Sequence, residues 1–191
     1  MKMFSIKIKP WLACTLLALA GCSSEPATQW YVLPTAQTPV SAASTAPLLV
    51  VRTVELAPHL NSSGLIYRTS KTQVIEAQQN LWAQDLAAQL TQRIVTDLRS
   101  KQRHYWTVAH NPMMKTLDTP TLLVTLNQFN GVYTGHADIQ GEWSLVDGSG
   151  VLQKTQAFSY HVPLNDEGYP ALVEALSQGF NQVTQQISQQ L

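Results

Sequence analysis

Eleven residues, His136 to Val146, alternate in polarity almost without interruption. Ala137, Ile139, Gly141, Trp143 and Leu145 fall on one side, and Asp138, Gln140, Glu142 and Ser144 on the other. Successive side chains of a strand point to opposite faces, so this period of two fits a strand with one dry and one wet face, and fits no helix. Strands of that kind belong to antiparallel sheets whose second face meets water. The flanking sequence extends the pattern. Thr121 to Phe129 carries Leu122, Val124 and Leu126 on one face, and Asn130-Gly131 and Gly135 mark a turn region. Asp147-Gly148-Ser149-Gly150 reads as a hairpin turn and Val151 to Val162 as the return strand. A three-stranded meander is therefore the predicted centre of the domain.

Two helices are predicted around it. Trp82, Leu86, Leu90, Ile94 and Leu98 recur every fourth residue, so Leu81 to Ser100 reads as a helix with Asn80 as its N-cap. Gln84, Gln89, Gln92, Arg93 and Asp97 are expected on its solvent side. The second helix opens at Pro170 and carries the stripe Leu172, Leu176, Phe180, Val183 and Ile187, with Gly179 as a point of close approach to the sheet. Short strands are expected at Leu48 to Val51, Leu65 to Thr69, Thr72 to Ala77 and Tyr105 to Ala109. Two helices with single apolar faces over one half-wet sheet predict an α+β fold: an antiparallel or mixed β-sheet with two amphipathic helices packed on one face.

The N-terminus is of a different kind. Lys2, Lys7 and Lys9 precede an uncharged, mostly apolar run from Trp11 to Ala20. Ten residues reach only ~15 Å as a helix against a hydrocarbon core of ~30 Å, which suits an export signal and not a membrane span. The run ends in Leu19-Ala20-Gly21-Cys22, which resembles the lipobox of bacterial lipoproteins, with Cys22 as the site of lipid attachment. The resulting division is a signal peptide over residues 1–21, an acylated cysteine, tether and linker over 22–47, and a folded domain over 48–191. Trp30-Tyr31-Val32-Leu33 interrupts the polar tether as a segment that could dock as an edge strand. Ser23 follows the cysteine where aspartate would hold a lipoprotein in the inner membrane under the enterobacterial sorting rule. The periplasmic face of the outer membrane is the expected location.

Loss of the three signal lysines leaves nine cations against twelve acids, a net charge of −3, with no basic run. That charge argues against nucleic-acid binding. Cys14 lies within the signal and Cys22 at the acylation site, so the mature domain has no thiol to pair. His59, His104, His110, His136 and His161 show no zinc-motif spacing, and neither a metal nor another cofactor is expected. His136 is read as a solvated residue of the wet face. Gly148-Ser149-Gly150 lacks the strand-to-helix setting of a nucleophile elbow, and Asp166-Glu167 sits where a helix N-terminus favours negative charge. No catalytic residues are assigned, and the chain is not expected to be an enzyme. Trp82 and Trp143 are expected in the core, while Trp30 and Tyr31, near the tether, are the candidate partner interface.

Several segments in order resemble the ABC-type transport auxiliary lipoproteins. They are Leu19-Ala20-Gly21-Cys22, Tyr31-Val32-Leu33, Asn80-Leu81-Trp82-Ala83 with Leu86, Thr121 to Leu126 leading to Phe129-Asn130-Gly131 and Tyr133, Gly141-Glu142-Trp143, and Gly168-Tyr169. Asp85 stands where family members often carry proline. The resemblance implies a non-enzymatic outer-membrane subunit of an intermembrane lipid-transport system that contributes to envelope integrity. Its implied partners are a periplasm-spanning MCE-domain protein of the PqiB type and, indirectly, an inner-membrane permease of the PqiA type. A homo-oligomer matching the MCE ring is a further implied partner. The competing readings are a membrane-tethered lipid carrier and a tethered hydrolase.

Overall fold

A computed structural model describes residues 27–34, 45–113 and 118–191 of the chain. The signal segment, Cys22 and most of the linker lie outside the described residues. The described elements are β1 (Gln29–Tyr31), β2 (Leu48–Val51), β3 (Glu55–Leu56), β4 (Gly64–Arg68), β5 (Val74–Trp82), α1 (Leu86–Lys101), β6 (Trp106–Ala109), β7 (Thr121–Val132), β8 (His136–Val146), β9 (Leu152–Pro163) and α2 (Tyr169–Ser188).

The strands form one mixed sheet, and the fold class is α+β as expected. The meander β7-β8-β9 is antiparallel, with Val124 opposite Trp143 and Gly141 opposite Phe158. The other edge of β7 is lined in tandem by β2, β3 and β4, all parallel to it. β6 extends the sheet beside β2, and β5 then β1 extend it beside β4. A register shift between Leu126 and Gln128 moves the dry face of β7 from even to odd positions. Phe129 thereby joins Leu122, Val124 and Leu126 in the core.

Both helices contribute to one apolar cluster over the dry face. Trp143, Phe180, Leu90, Ile94, Leu98 and Ile139 are among its fully buried side chains. Trp82 and Trp143 are buried as expected, and the Phe129 ring meets Phe180 edge-on at 6.1 Å. A Cβ on Gly179 of α2 would overlap the Ile139 side chain of β8, so this glycine is the predicted point of close approach.

Four local expectations fail. Asn80, Leu81 and Trp82 are strand, not helix start: they continue β5, where Leu81 pairs with Gly64 of β4 on one side and the three residues pair with Gln29, Trp30 and Tyr31 of β1 on the other. The helix opens at Leu86, and Asp85 is its N-cap, its carboxylate accepting from the Ala88 amide at 2.8 Å. Asn130-Gly131 continues β7, and the turn falls at residues 133–135, where Gly135 takes φ 84°. Arg93 and Asp97 are buried at 5% and 1% exposure instead of facing water, because α2 covers that side of α1. Asp138 lies on the expected face of β8 but does not meet water: it is 8% exposed, with two histidine rings against its carboxylate.

Candidate docking edge

The segment Gln29 to Pro34, a strap across the end of the sheet, is stitched into the domain. β1 lies parallel to the end of β5, and the Ala83 amide donates to the Tyr31 carbonyl at 2.8 Å. The Tyr31 hydroxyl is within hydrogen-bonding distance of Gln29 Oε1 (2.6 Å) and Asn80 Oδ1 (3.1 Å). Burial pushes the Tyr31 phenol up from its ordinary value, and the neighbouring Tyr169 adds to the shift. Leu33 is buried in the main core, and its amide donates to Gln89 Oε1 at 3.1 Å. Gln29 to Pro34 is therefore part of the packed domain, as the docking of Trp30 to Leu33 suggested.

The strap ends on the buried charges. The Pro34 carbonyl accepts from Arg93 Nη1 and, at 3.3 Å, from Ser177 Oγ. Arg93 Nε reaches both Asp97 oxygens, at 2.9 and 3.0 Å. Thr184 Oγ1 of α2 donates to Asp97 Oδ2 at 2.8 Å. Lys101 completes the network through Asp97 Oδ2 at 3.5 Å, the Asn181 carbonyl at 3.0 Å and Thr184 Oγ1 at 2.6 Å. Burial lowers the Lys101 ammonium from its ordinary value by more than the Asp97 charge and hydrogen bond raise it. One network thus ties the Gln29–Pro34 segment to both helices. Sequence reading missed it, because i and i+4 charges on a polar-looking face carry no sign that a second helix will cover them.

Trp30 remains 61% exposed on the strap, Val32 54%, and Val74 and Ile75 of β5 about two-fifths. Trp30 and Tyr31, which the sequence singled out, lie at the Leu81–Trp82 end of β5, and Val74 and Ile75 at its other end. The Asp166-Glu167 pair lies elsewhere, in the loop before α2. That loop lines an open depression of about 570 Å³ with Tyr67, Leu164, Tyr169 and Leu172. His59 and His104 are exposed and apart from any such cluster, while His110 meets Arg52 at 3.3 Å. No described helix is long and apolar enough to cross a membrane.

Known proteins match this architecture almost end to end. The family model for an ABC-type transport auxiliary lipoprotein component matches residues 31–188, a span that starts at Tyr31 of the strap. The chain is 36% identical over 188 residues to the intermembrane transport lipoprotein PqiC of Escherichia coli, covering 96% of this chain and 98% of that one. A crystal structure of an uncharacterised protein is 31% identical, with a TM-score of 0.72 over 86% of this chain and 98% of its own. A Xanthomonas campestris protein, 19% identical, shares the fold at a TM-score of 0.66 over 83% of this chain. With the family model covering strap, sheet and both helices, the chain belongs to the ABC-type transport auxiliary lipoprotein component family.

Proposed function

We propose that the chain is an outer-membrane lipoprotein, acylated at Cys22 after removal of residues 1–21, that serves as the outer-membrane docking subunit of an intermembrane lipid-transport system. Its partner is a periplasm-spanning MCE-domain protein of the PqiB type, coupled in turn to an inner-membrane permease of the PqiA type. Loss of the subunit weakens the envelope barrier. The observation that carries this reading is the near full-length identity to an intermembrane transport lipoprotein.

The strap supports the mechanical part. Six residues, 23–28, separate the proposed acylated cysteine from β1, and a chain of that length spans at most about 20 Å, so the domain rides close to the membrane surface. Three acyl chains make that attachment permanent, since one chain alone binds marginally and each buried CH₂ adds about 0.8 kcal/mol. Pro34 at the end of the Gln29–Pro34 segment is held by the Arg93–Asp97 network, so force on this segment passes directly to the helix layer. Trp30, exposed beside the tether, is the anchor expected in the partner contact.

A homo-oligomer belongs to the same proposal. Among the described residues nothing pairs with the outer edge of β9, a strand of twelve residues, and Val151 and Leu152 at its start are 56% and 59% exposed. Unpaired edges of that length invite pairing with another chain.

The test is membrane fractionation together with crosslinking. The parent is expected in the outer-membrane fraction, and Cys22→Ala in the soluble periplasm. A photo-crosslinking residue at position 30 is expected to capture an MCE-domain protein. An unacylated Cys22 in the parent, or crosslinks at position 30 that never include an MCE-domain protein, would overturn the reading.

A further inference from the structure

On the wet face of the sheet, three metal-ligating side chains converge that no sequence spacing announces. His136 and Asp138 are two apart in β8 and so project from the same face. His161 of β9 stands directly opposite Asp138 in the antiparallel register. His161 Nδ1 lies 2.5 Å from Asp138 Oδ1, and His136 Nε2 lies 3.1 Å from the same oxygen. The two imidazole rings meet edge to face at 5.6 Å. One ligand atom from each residue falls within 4.8 Å of the others.

We propose that His136, Asp138 and His161 form a binding site for a divalent transition-metal ion of the zinc class. The donor set, two imidazoles and one carboxylate, is the chemistry that such ions take, with solvent completing the shell. Around an ion with bonds of about 2.0–2.1 Å, neighbouring tetrahedral ligands stand roughly 3.3 Å apart, so small side-chain rotations open the present triangle enough to admit one. The backbone is stiff there, because β8 is paired on both sides by β7 and β9.

The surroundings orient the ligands. Thr134 Oγ1 lies 3.0 Å from His136 Nδ1, so the ring nitrogen that does not face the site has its own partner and Nε2 is aimed at Asp138. Ser159 Oγ sits more loosely beside His161 Nε2, at 3.5 Å. Such partners fix ring orientation at metal sites. Asn130, opposite Asp138 in β7, is fully buried, and its Oδ1 has no hydrogen-bond partner, so the Asp138 neighbourhood has an unmet polar demand. Asp138 is nearly buried, while the His161 side chain is 55% exposed, which leaves an entry path from solvent.

Zn²⁺ titration of the full chain, purified in detergent and stripped with a chelator, tests the site by calorimetry and by thermal melting. The parent is expected to bind about one Zn²⁺ at this site with micromolar affinity or tighter, and to melt higher with Zn²⁺ than without. His136→Ala, Asp138→Asn and His161→Ala are expected to lose that event, and Thr134→Val to weaken it about tenfold. All variants share the remaining histidines and cysteines, so the difference from the parent isolates this site. His161 is half exposed on an edge strand, so its variant folds even if Asp138→Asn does not, and a chelator-treated melt verifies this. Zn²⁺ binding unchanged in His161→Ala, or no saturable binding to the parent at millimolar Zn²⁺, would overturn the site. Either result leaves the docking reading untouched.

Discussion

Arg93 and Asp97 face each other one helical turn apart with Nε to Oδ1 at 2.9 Å, side chains 5% and 2% exposed, and the carbonyl of Pro34 closing the other side of the guanidinium. A charge pair so removed from water is a poor source of net stability, but breaking it leaves a bare charge in the interior. Arg93→Ala and Asp97→Ala should each destabilise the domain by about 3–5 kcal/mol in urea unfolding. Removing both with Arg93→Met and Asp97→Leu should cost less than the sum of the single losses. Additive losses would show that the two charges are not a unit.

Gly179 tests how closely α2 lies on the sheet. Alanine in a helix interior is favoured over glycine by about 1 kcal/mol. Here its Cβ would overlap Ile139 Cδ1, an overpacking that typically costs 1–3 kcal/mol. Gly179→Ala should therefore lower the unfolding midpoint, and adding Ile139→Val should recover part of the loss. A stabilised Gly179→Ala would mean that α2 does not pack this tightly.

Lys101 predicts an alkaline signature. Its folded value lies below the unfolded one of 10.5, so the unfolded chain holds more protons in between. The Lys101 contribution to stability therefore rises as pH climbs from the folded value toward 10.5 and is flat below the folded value. Lys101→Met should remove that rise, seen as a parent-minus-variant stability difference that grows with pH. Tyr31 and Tyr160, both raised by burial, titrate identically in the two proteins and cancel.

Asp147 predicts the opposite end of the scale. Its carboxylate caps the β8–β9 turn, with Oδ1 accepting from the Ser149 hydroxyl at 2.6 Å and from the Ser149 and Val151 amides at 2.9 Å. The Ser149 hydroxyl foremost, then the Val151 amide, holds its value below the ordinary 3.8. That stabilisation is complete above the unfolded value and is lost as pH falls through the folded one. The advantage of the parent over Asp147→Asn should accordingly be constant at neutral pH and shrink in acid. An advantage that persists unchanged in acid would show that the carboxylate charge is not what holds the turn.

Trp30 separates fold from contact. At 61% exposure, its replacement by alanine should shift stability by no more than about 0.5 kcal/mol. The same change should reduce crosslinking to the proposed MCE-domain partner from neighbouring positions on the strap. Reduced crosslinking accompanied by a lowered melting temperature would assign Trp30 to folding instead.

The local periods were enough to place the meander, both amphipathic stripes and the close approach of Gly179, because a half-buried strand or helix must write its burial into every second or every fourth residue. They misplaced the start of α1, since Trp82 satisfies the helical spacing by coincidence, and pairing with β4 on one side and with β1, about fifty residues upstream, on the other makes residues 80–82 strand. The same limit hid both polar clusters. Arg93 and Asp97 look like a solvent face until α2 covers them, and His136, Asp138 and His161 are brought together by cross-strand register, not by spacing along the chain. Periodicity along the chain reports how each element is partitioned between water and apolar surroundings. Which polar groups end up facing one another is decided by the packing of elements distant in sequence, and only the tertiary structure contains it.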